Sequence, residues 1–307
     1  MRGIDLAGLS TEGQRKDLFD IDLLPMVDMV RLMSREDATV PIAIAHQDEA
    51  IASAVDGVVR RLSSGGRLFY VGAGTSGRIG ALDASECPPT FNTDPGLVQA
   101  VVAGGDEALT LARELAEDDA EAVAAALEMR NVTGDDAVVG IAASGRTPFV
   151  AGALRHARDR GAFTVALSCN EGAEISRLAD TAIEVVTGPE VLSGSTRLKA
   201  GTAQKLVLNM ISTLAMVRLG KTYGNLMVDL KAANEKLAAR SIRIVALAAD
   251  RPPDEAERAL AETGGDVKTA IVMLSAGADL EGARRAIEAA NGRVRDALRE
   301  LGGEGVR

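Results

Sequence analysis

The sequence contains no tryptophan and only two tyrosines and five phenylalanines. It therefore lacks the flat surfaces on which proteins stack single-stranded nucleic acid and many sugar chains, so a sugar bound here would be recognised by hydrogen bonds and charge. Positive charge is also scarce: 34 Lys and Arg stand against 44 Asp and Glu, a formal net charge of -10, with no basic cluster. That footprint has the wrong sign for nucleic acid or an anionic membrane surface as partner. Two histidines, His46 and His156, and two cysteines, Cys87 and Cys169, are too few and too scattered for a zinc site, and two isolated thiols are expected to be free. No apolar run approaches the about 18 residues of a membrane span, and the first stretch, MRGIDLAGLSTEGQRKDLFDIDLL, is broken by charges every few residues. The expectation is a cytoplasmic protein with no metal site.

What is present is apolar material for a sizeable core, 47% of 307 residues. Residues 5 to 65 read as helical, with apolar residues at helical spacing over Leu23 to Met33 and Ala43 to Leu62. Five short apolar runs follow, each closed by Gly, Ser or Asn: RLFYVGAG, LVQAVVAGG, DAVVGIAASG, FTVALSCN and TAIEVVTG. They alternate with helical stretches, Glu107 to Met129 and Pro148 to Arg160, which predicts an α/β fold with a five-stranded parallel sheet flanked by helices. The flavodoxin-like order 2-1-3-4-5 is the most economical, and it puts the switch point between the first and third strands. Thr196 to Leu219 reads as one long helix, with KTYGNLMVDLKAANEKLAARSIRIV continuing helically after a glycine break. The expected organisation is an N-terminal helical arm over 1–58, a sheet domain over 59–222, a helical connection over 223–250 and a small C-terminal helical domain over 251–307.

The first and third strands lead into the turns richest in glycine and hydroxyl groups. Gly72, Gly74 and Gly77 match G-x-G-x-x-G, the dinucleotide pattern, but the acid expected about 20 residues on is displaced to Asp106 and the loop carries Thr75 and Ser76. Hydroxyls beside backbone N–H groups at a helix start suit a phosphate monoester better. Ala143-Ser144-Gly145-Arg146-Thr147-Pro148 repeats the design: Ser144 and Thr147 can donate, Gly145 permits the turn and Pro148 suits a first helical turn. The candidate phosphate ligands are Gly74, Thr75, Ser76, Ser144, Gly145 and Thr147, with Arg146 as added charge. Glu86 follows about a helix length later, where Pro88-Pro89 is expected to end the helix; a buried carboxylate there would be a proton donor for the far end of the ligand. Glu117 is one of five acids between Glu107 and Asp119, a pattern that also suits a charged helix face. In GPEVLSGSTRLKAGTAQK, Ser193, Ser195 and Thr196 can cap the next helix, while Ser195 and Lys199 are further candidates for the substrate.

Taken together, GAGTSGRIGALDASECPPTF, IAASGRTPFV, GPEVLSGSTRLKAGTAQK and RLGKTYGNLMVDL resemble the N-acetylmuramic acid 6-phosphate etherases, a branch of the sugar isomerase (SIS) fold. The likeness runs from Thr11-Glu12 to about Val245, and ALAETGGDVKTAIVML resembles that family's ubiquitin-associated-like C-terminal domain. Phe149 stands where a tyrosine is common and Asn92 where a glycine is usual. The resemblance implies cleavage of the D-lactyl ether of a sugar phosphate without metal or cofactor. It carries the proton donor onto Glu86 and the second acid onto Glu117, and implies a homodimer. Beside it stand a sugar-phosphate sensor, a sugar-phosphate isomerase and a nicotinamide-dependent oxidoreductase, separable by lactate release, sugar interconversion and cofactor titration.

Overall fold

The computed structural model describes residues 8–111, 113–230 and 235–302. The arm begins with three single 3₁₀ turns, Ser10–Glu12, Lys16–Leu18 and Ile21–Leu23, and continues as α1 (Met26–Asp37), α2 (Val40–Ala45) and α3 (Asp48–Ser63). The alternation that follows is β1 (Leu68–Gly72), α4 (Gly74–Phe91), β2 (Val98–Val102), α5 (Ala120–Met129), β3 (Ala137–Ile141), α6 (Pro148–Asp159), β4 (Phe163–Ser168) and β5 (Thr181–Glu184). All five apolar runs became strands, parallel and in the order β2-β1-β3-β4-β5. Burial explains the composition: β1 and β3 are covered along their whole length, so both faces select apolar side chains. Phe69, Val71, Val101, Val138, Leu127 and Phe149 form one layer of this core, beneath α5 and α6.

The residues just before β1 and β3 are tied by a charge network. Asp136 is 1% exposed; it accepts from the Arg67 backbone N–H at 2.8 Å, Arg67 Nε at 3.1 Å, Arg67 Nη2 at 2.8 Å and the Thr133 N–H at 2.9 Å. Burial pushes its pKa up, but the Arg67 and backbone hydrogen bonds outweigh that and hold the carboxyl below its usual range. A carboxylate with a depressed folded pKa contributes stability above its unfolded value, about 3.9, and loses it as pH falls through the folded value. Asp136→Asn is therefore expected to cost about 2–3 kcal/mol at pH 7. Urea unfolding should show that cost narrowing in strong acid; an equal cost at both pH values would remove the charge from the explanation.

Two compact units divide the chain, one of residues 1–85 and 96–212, the other of 86–95 and 213–307. The second unit contains the end of α7 (Lys199–Arg218), a hairpin of β6 (Thr222–Tyr223) and β7 (Leu226–Met227), and α8 (Glu235–Ala249), α9 (Pro253–Thr263), α10 (Val267–Ala276), α11 (Leu280–Ala289) and α12 (Val294–Glu300). Its core gathers Val228, Val245, Ala256, Ile271, Val272 and Leu298. Asp266 caps α10 and Asp279 caps α11, and Gly264 and Gly277 close α9 and α10 in the left-handed conformation.

Three local expectations are corrected. The segment after Gly220, read as helix, opens with the β6–β7 hairpin, because Gly224 (φ 58°) reverses the chain. Glu107 to Met129 is not one helix: 3₁₀ turns at Asp106–Leu109 and Glu114–Asp118 precede α5, which Asp119 starts by accepting from the Glu121 and Ala122 N–H groups. Pro88-Pro89 does not end α4. Proline's φ is already helical, and the helix runs on to Phe91, stopping where Asn92 turns left-handed (φ 51°).

Candidate active site

β1 and β3 pair with Gly72 opposite Ile141, so the turns leaving them rise side by side, about 4.8 Å apart at their roots. In the first turn a Cβ on Gly77 would lie 2.5 Å from the Gly72 carbonyl oxygen, so this pair of glycines lets the helix start tight against the strand end. Gly74 has φ 53°; Thr75 and Ser76 follow in the first helical turn, where backbone N–H groups have no intrahelical partner and favour an anion. In the second turn Gly145 has φ 70°, and a Cβ there would stand 2.4 Å from that of Ala173. Ser144 Oγ accepts from the Arg146 N–H at 3.3 Å. Thr147 precedes α6 without spending its hydroxyl on a cap. The structure thus sets the two glycine- and hydroxyl-rich turns together at the sheet's switch point.

Beside the second turn lies a cavity of about 610 Å³ lined by Ser144, Arg146, Asn170, Asp118, Glu174 and Arg177, roomy enough for a small ligand. Asn170 organises its floor. Its Nδ2 donates to the Ala143 carbonyl at 2.9 Å and to Thr11 Oγ1 at 3.0 Å, while its Oδ1 accepts from the Ser10 N–H at 2.7 Å. The arm is thereby fastened to the strand end that carries Ser144. Glu117 sits exposed in the Glu114–Asp118 turn, which packs on α6 and contributes Asp118 to the cavity. Glu86 is exposed on α4, not buried as expected, because the helix turns its Asp83-Ala84-Cys87 face inward.

Two family profiles match the chain: the glucokinase regulatory protein N-terminal SIS domain over residues 50–158 and the SIS domain over 112–214. The N-acetylmuramic acid 6-phosphate etherase of Streptomyces avermitilis is 56% identical, covering 96% of this chain and 94% of its own. That of Rubrobacter xylanophilus is 57% identical, covering 96% and 97%. The chain belongs to the N-acetylmuramic acid 6-phosphate etherase family. A solved phosphoheptose isomerase from Neisseria gonorrhoeae superposes with a TM-score of 0.48 at 19% identity, over 62% of this chain and 98% of its own.

In this etherase-family chain no described helix is long and apolar enough to cross a membrane. Cys87 and Cys169 are buried and not joined in a disulfide, and burial, with Glu190 nearby, pushes the Cys169 thiol up to about 12. The α7 start departs from expectation. Its cap is Glu190, fully buried, which accepts from the Lys199 and Ala200 N–H groups at 3.0 Å each; a carboxylate satisfies two open N–H groups where a hydroxyl satisfies one. Ser195 is half-buried in the preceding loop. Lys199, 4% exposed, gives its Nζ to Glu36 Oε2 at 2.9 Å, and Arg15 holds the other Glu36 oxygen at 3.0 Å. Burial pushes the Glu36 pKa up, but the hydrogen bonds from Lys199 and Arg15 bring it below its usual range. Lys199 thus anchors the arm.

Sequence reasoning missed Gln204. It is 1% exposed, its Oε1 accepts from Ser76 Oγ at 2.9 Å, and its Nε2 is buried without a partner. The signal was available: Ala200, Ala203, Val207 and Leu208 mark the buried face of α7, and a glutamine at 204 is polar on that face.

Proposed function

We propose that this protein is an N-acetylmuramic acid 6-phosphate etherase, cleaving the D-lactyl ether at C3 to give N-acetylglucosamine 6-phosphate and D-lactate in cytoplasmic recycling of cell-wall amino sugars. The observation that carries this reading is the pair of helix-start turns at the β1/β3 switch point, beside a cavity reached by the Glu117 turn, in a chain of this family. Gly74, Thr75, Ser76, Ser144, Gly145 and Thr147 hold the phosphate, with Arg146 at the rim. In the ring-opened sugar the C1 aldehyde acidifies the C2 proton. Glu117 takes that proton or assists ring opening; the C2–H electron pair forms the C2=C3 bond, the C3–O bond breaks, and Glu86 gives its proton to the departing lactyl oxygen. Water then adds at C3 with Glu86 as base, and C2 is reprotonated. Each acid–base role contributes about 10²- to 10⁴-fold, added to positioning.

Glu86 is exposed on α4 in the single chain. We infer a homodimer in which the partner copy supplies Glu86. The apolar stripe Met26, Val30 and Met33 on α1, 72%, 56% and 38% exposed, supports such an assembly.

Gln204 completes the phosphate site in this reading. With Ser76 donating to Oε1, the serine has no proton for a ligand; turning the amide by half a rotation makes Nε2 the donor, relieves its orphaned N–H and frees the serine proton for a phosphate oxygen. Gln204→Glu accepts only and adds negative charge, so KM should rise about tenfold with kcat changed far less. A fall in kcat at constant KM would place Gln204 outside phosphate binding.

Incubation of the purified protein with N-acetylmuramic acid 6-phosphate in deuterated water tests the function itself. D-lactate should appear together with deuterium at C2 of the product. Sugar phosphate binding without lactate would make the protein a sensor, and isomerised sugar without lactate an isomerase.

A further inference from the structure

The chain has an excess of negative charge, yet the second unit concentrates arginine around one pocket. A cavity of about 350 Å³ opens where the end of α7, the hairpin and the start of α12 meet, lined by Arg218, Thr222, Tyr223, Arg293, Arg295 and Asp296. Three guanidinium groups face one carboxylate, and Asp296 is also engaged by Arg299 at 3.3 Å. Arg293 lies 4.0 Å from Asp296 and donates through Nη2 to the Arg218 carbonyl at 3.1 Å, covering a carbonyl at the negative end of α7. Among the described residues, neither Arg218 nor Arg295 has an acidic partner.

The second observation is Tyr223. The residue is 5% exposed, its hydroxyl is buried without a hydrogen-bond partner, and its ring carries the Arg295 guanidinium at 5.4 Å from the centroid. Buried hydroxyls are almost always paired, and an orphan among unpaired cations marks a missing acceptor. Gly220 shapes the wall: a Cβ there would meet Arg293 Cγ at 2.7 Å, so the glycine admits the arginine stem.

We propose that this pocket is an anion-binding site for a small phosphate monoester, separate from the phosphate turns at the sheet edge. The net excess of two positive charges matches a monoester, which carries about -1.5 to -2 at neutral pH, and guanidinium forks with a tyrosine hydroxyl supply donors in the planar and bent geometries that phosphate oxygens accept. The cavity falls within the range of small-ligand pockets. This inference stands on the second unit alone and does not rest on the etherase reading.

The absence of tryptophan supplies the probe. Tyrosine emission comes only from Tyr70 and Tyr223, and Tyr70 is 1% exposed with its hydroxyl on Asp83. Titrating the full chain with inorganic phosphate at constant ionic strength should give a saturable change in tyrosine emission that a chloride titration lacks. Tyr223→Phe should abolish it, Arg218→Ala should raise its midpoint about tenfold, and Ser144→Ala should leave the midpoint in place. No saturable change in the parent protein, a midpoint unmoved by Arg218→Ala, or one moved by Ser144→Ala would overturn the proposal.

Discussion

Replacing Glu86 by glutamine is expected to lower D-lactate release by about 10²- to 10⁴-fold, with the unfolding free energy within about 0.5 kcal/mol of the parent. The two halves of this expectation have separate causes. Glu86 lies on the exposed face of α4, while the helix is held by Asp83, which accepts from Tyr70 Oη at 2.8 Å, Asn209 Nδ2 at 2.6 Å and Ser212 Oγ at 3.1 Å. An amide at position 86 disturbs none of these. It does remove the proton needed by the leaving lactyl oxygen and the base needed to activate water, so both half-reactions slow. Initial-rate assays of lactate beside urea unfolding of both proteins measure the two quantities. Near-native turnover would withdraw Glu86 from the chemistry, and a large loss of stability would make it structural.

The second large effect is a gain. Glu86→Ala and Glu117→Ala should each be nearly inactive alone, yet a mixture of the two, unfolded and refolded together, should recover about a quarter of parental activity. Random pairing makes half the dimers mixed, and in each of these one of the two sites draws an intact Glu86 from one copy and an intact Glu117 from the other. The physical ground is the exposure of Glu86 on α4, set against the placement of Glu117 in the turn that packs on α6. Activity in the mixture no higher than in either variant would put both acids of a site on one chain.

The parallel sheet was readable because burial on both faces leaves a strong mark on sequence. Strands such as Ala137–Ile141, covered throughout, must be apolar at every position, and the turns after them must be glycine where φ is positive or backbones meet. Right-handed crossovers place helices on both faces, and the flavodoxin-like order, chosen as the most economical for five strands, is the order observed, so the Gly74 and Ser144 turns meet where that order puts them. Errors fell where local propensity and tertiary context diverge. KTYGNLMVDL has a helical distribution of apolar residues, but Gly224 and the packing of Val228 in the second core make it a hairpin. The proline pair reads as a stop, yet α4 continues past it to Phe91, which is buried.

The candidate site divides in the same way. The amino-acid order by itself determined the glycine and hydroxyl turns, the acids available for proton transfer and the fold that brings strand ends together, because backbone conformation and hydrophobic period are written in neighbouring residues. Only the tertiary structure decided what each side chain meets: that Lys199 is consumed by Glu36, that Glu190 caps α7, that Gln204 stands behind Ser76 and that Glu86 faces outward. Pairs such as Lys199 and Glu36, or Ser76 and Gln204, lie more than a hundred residues apart along the chain, and no local pattern encodes which polar group will reach across such a separation.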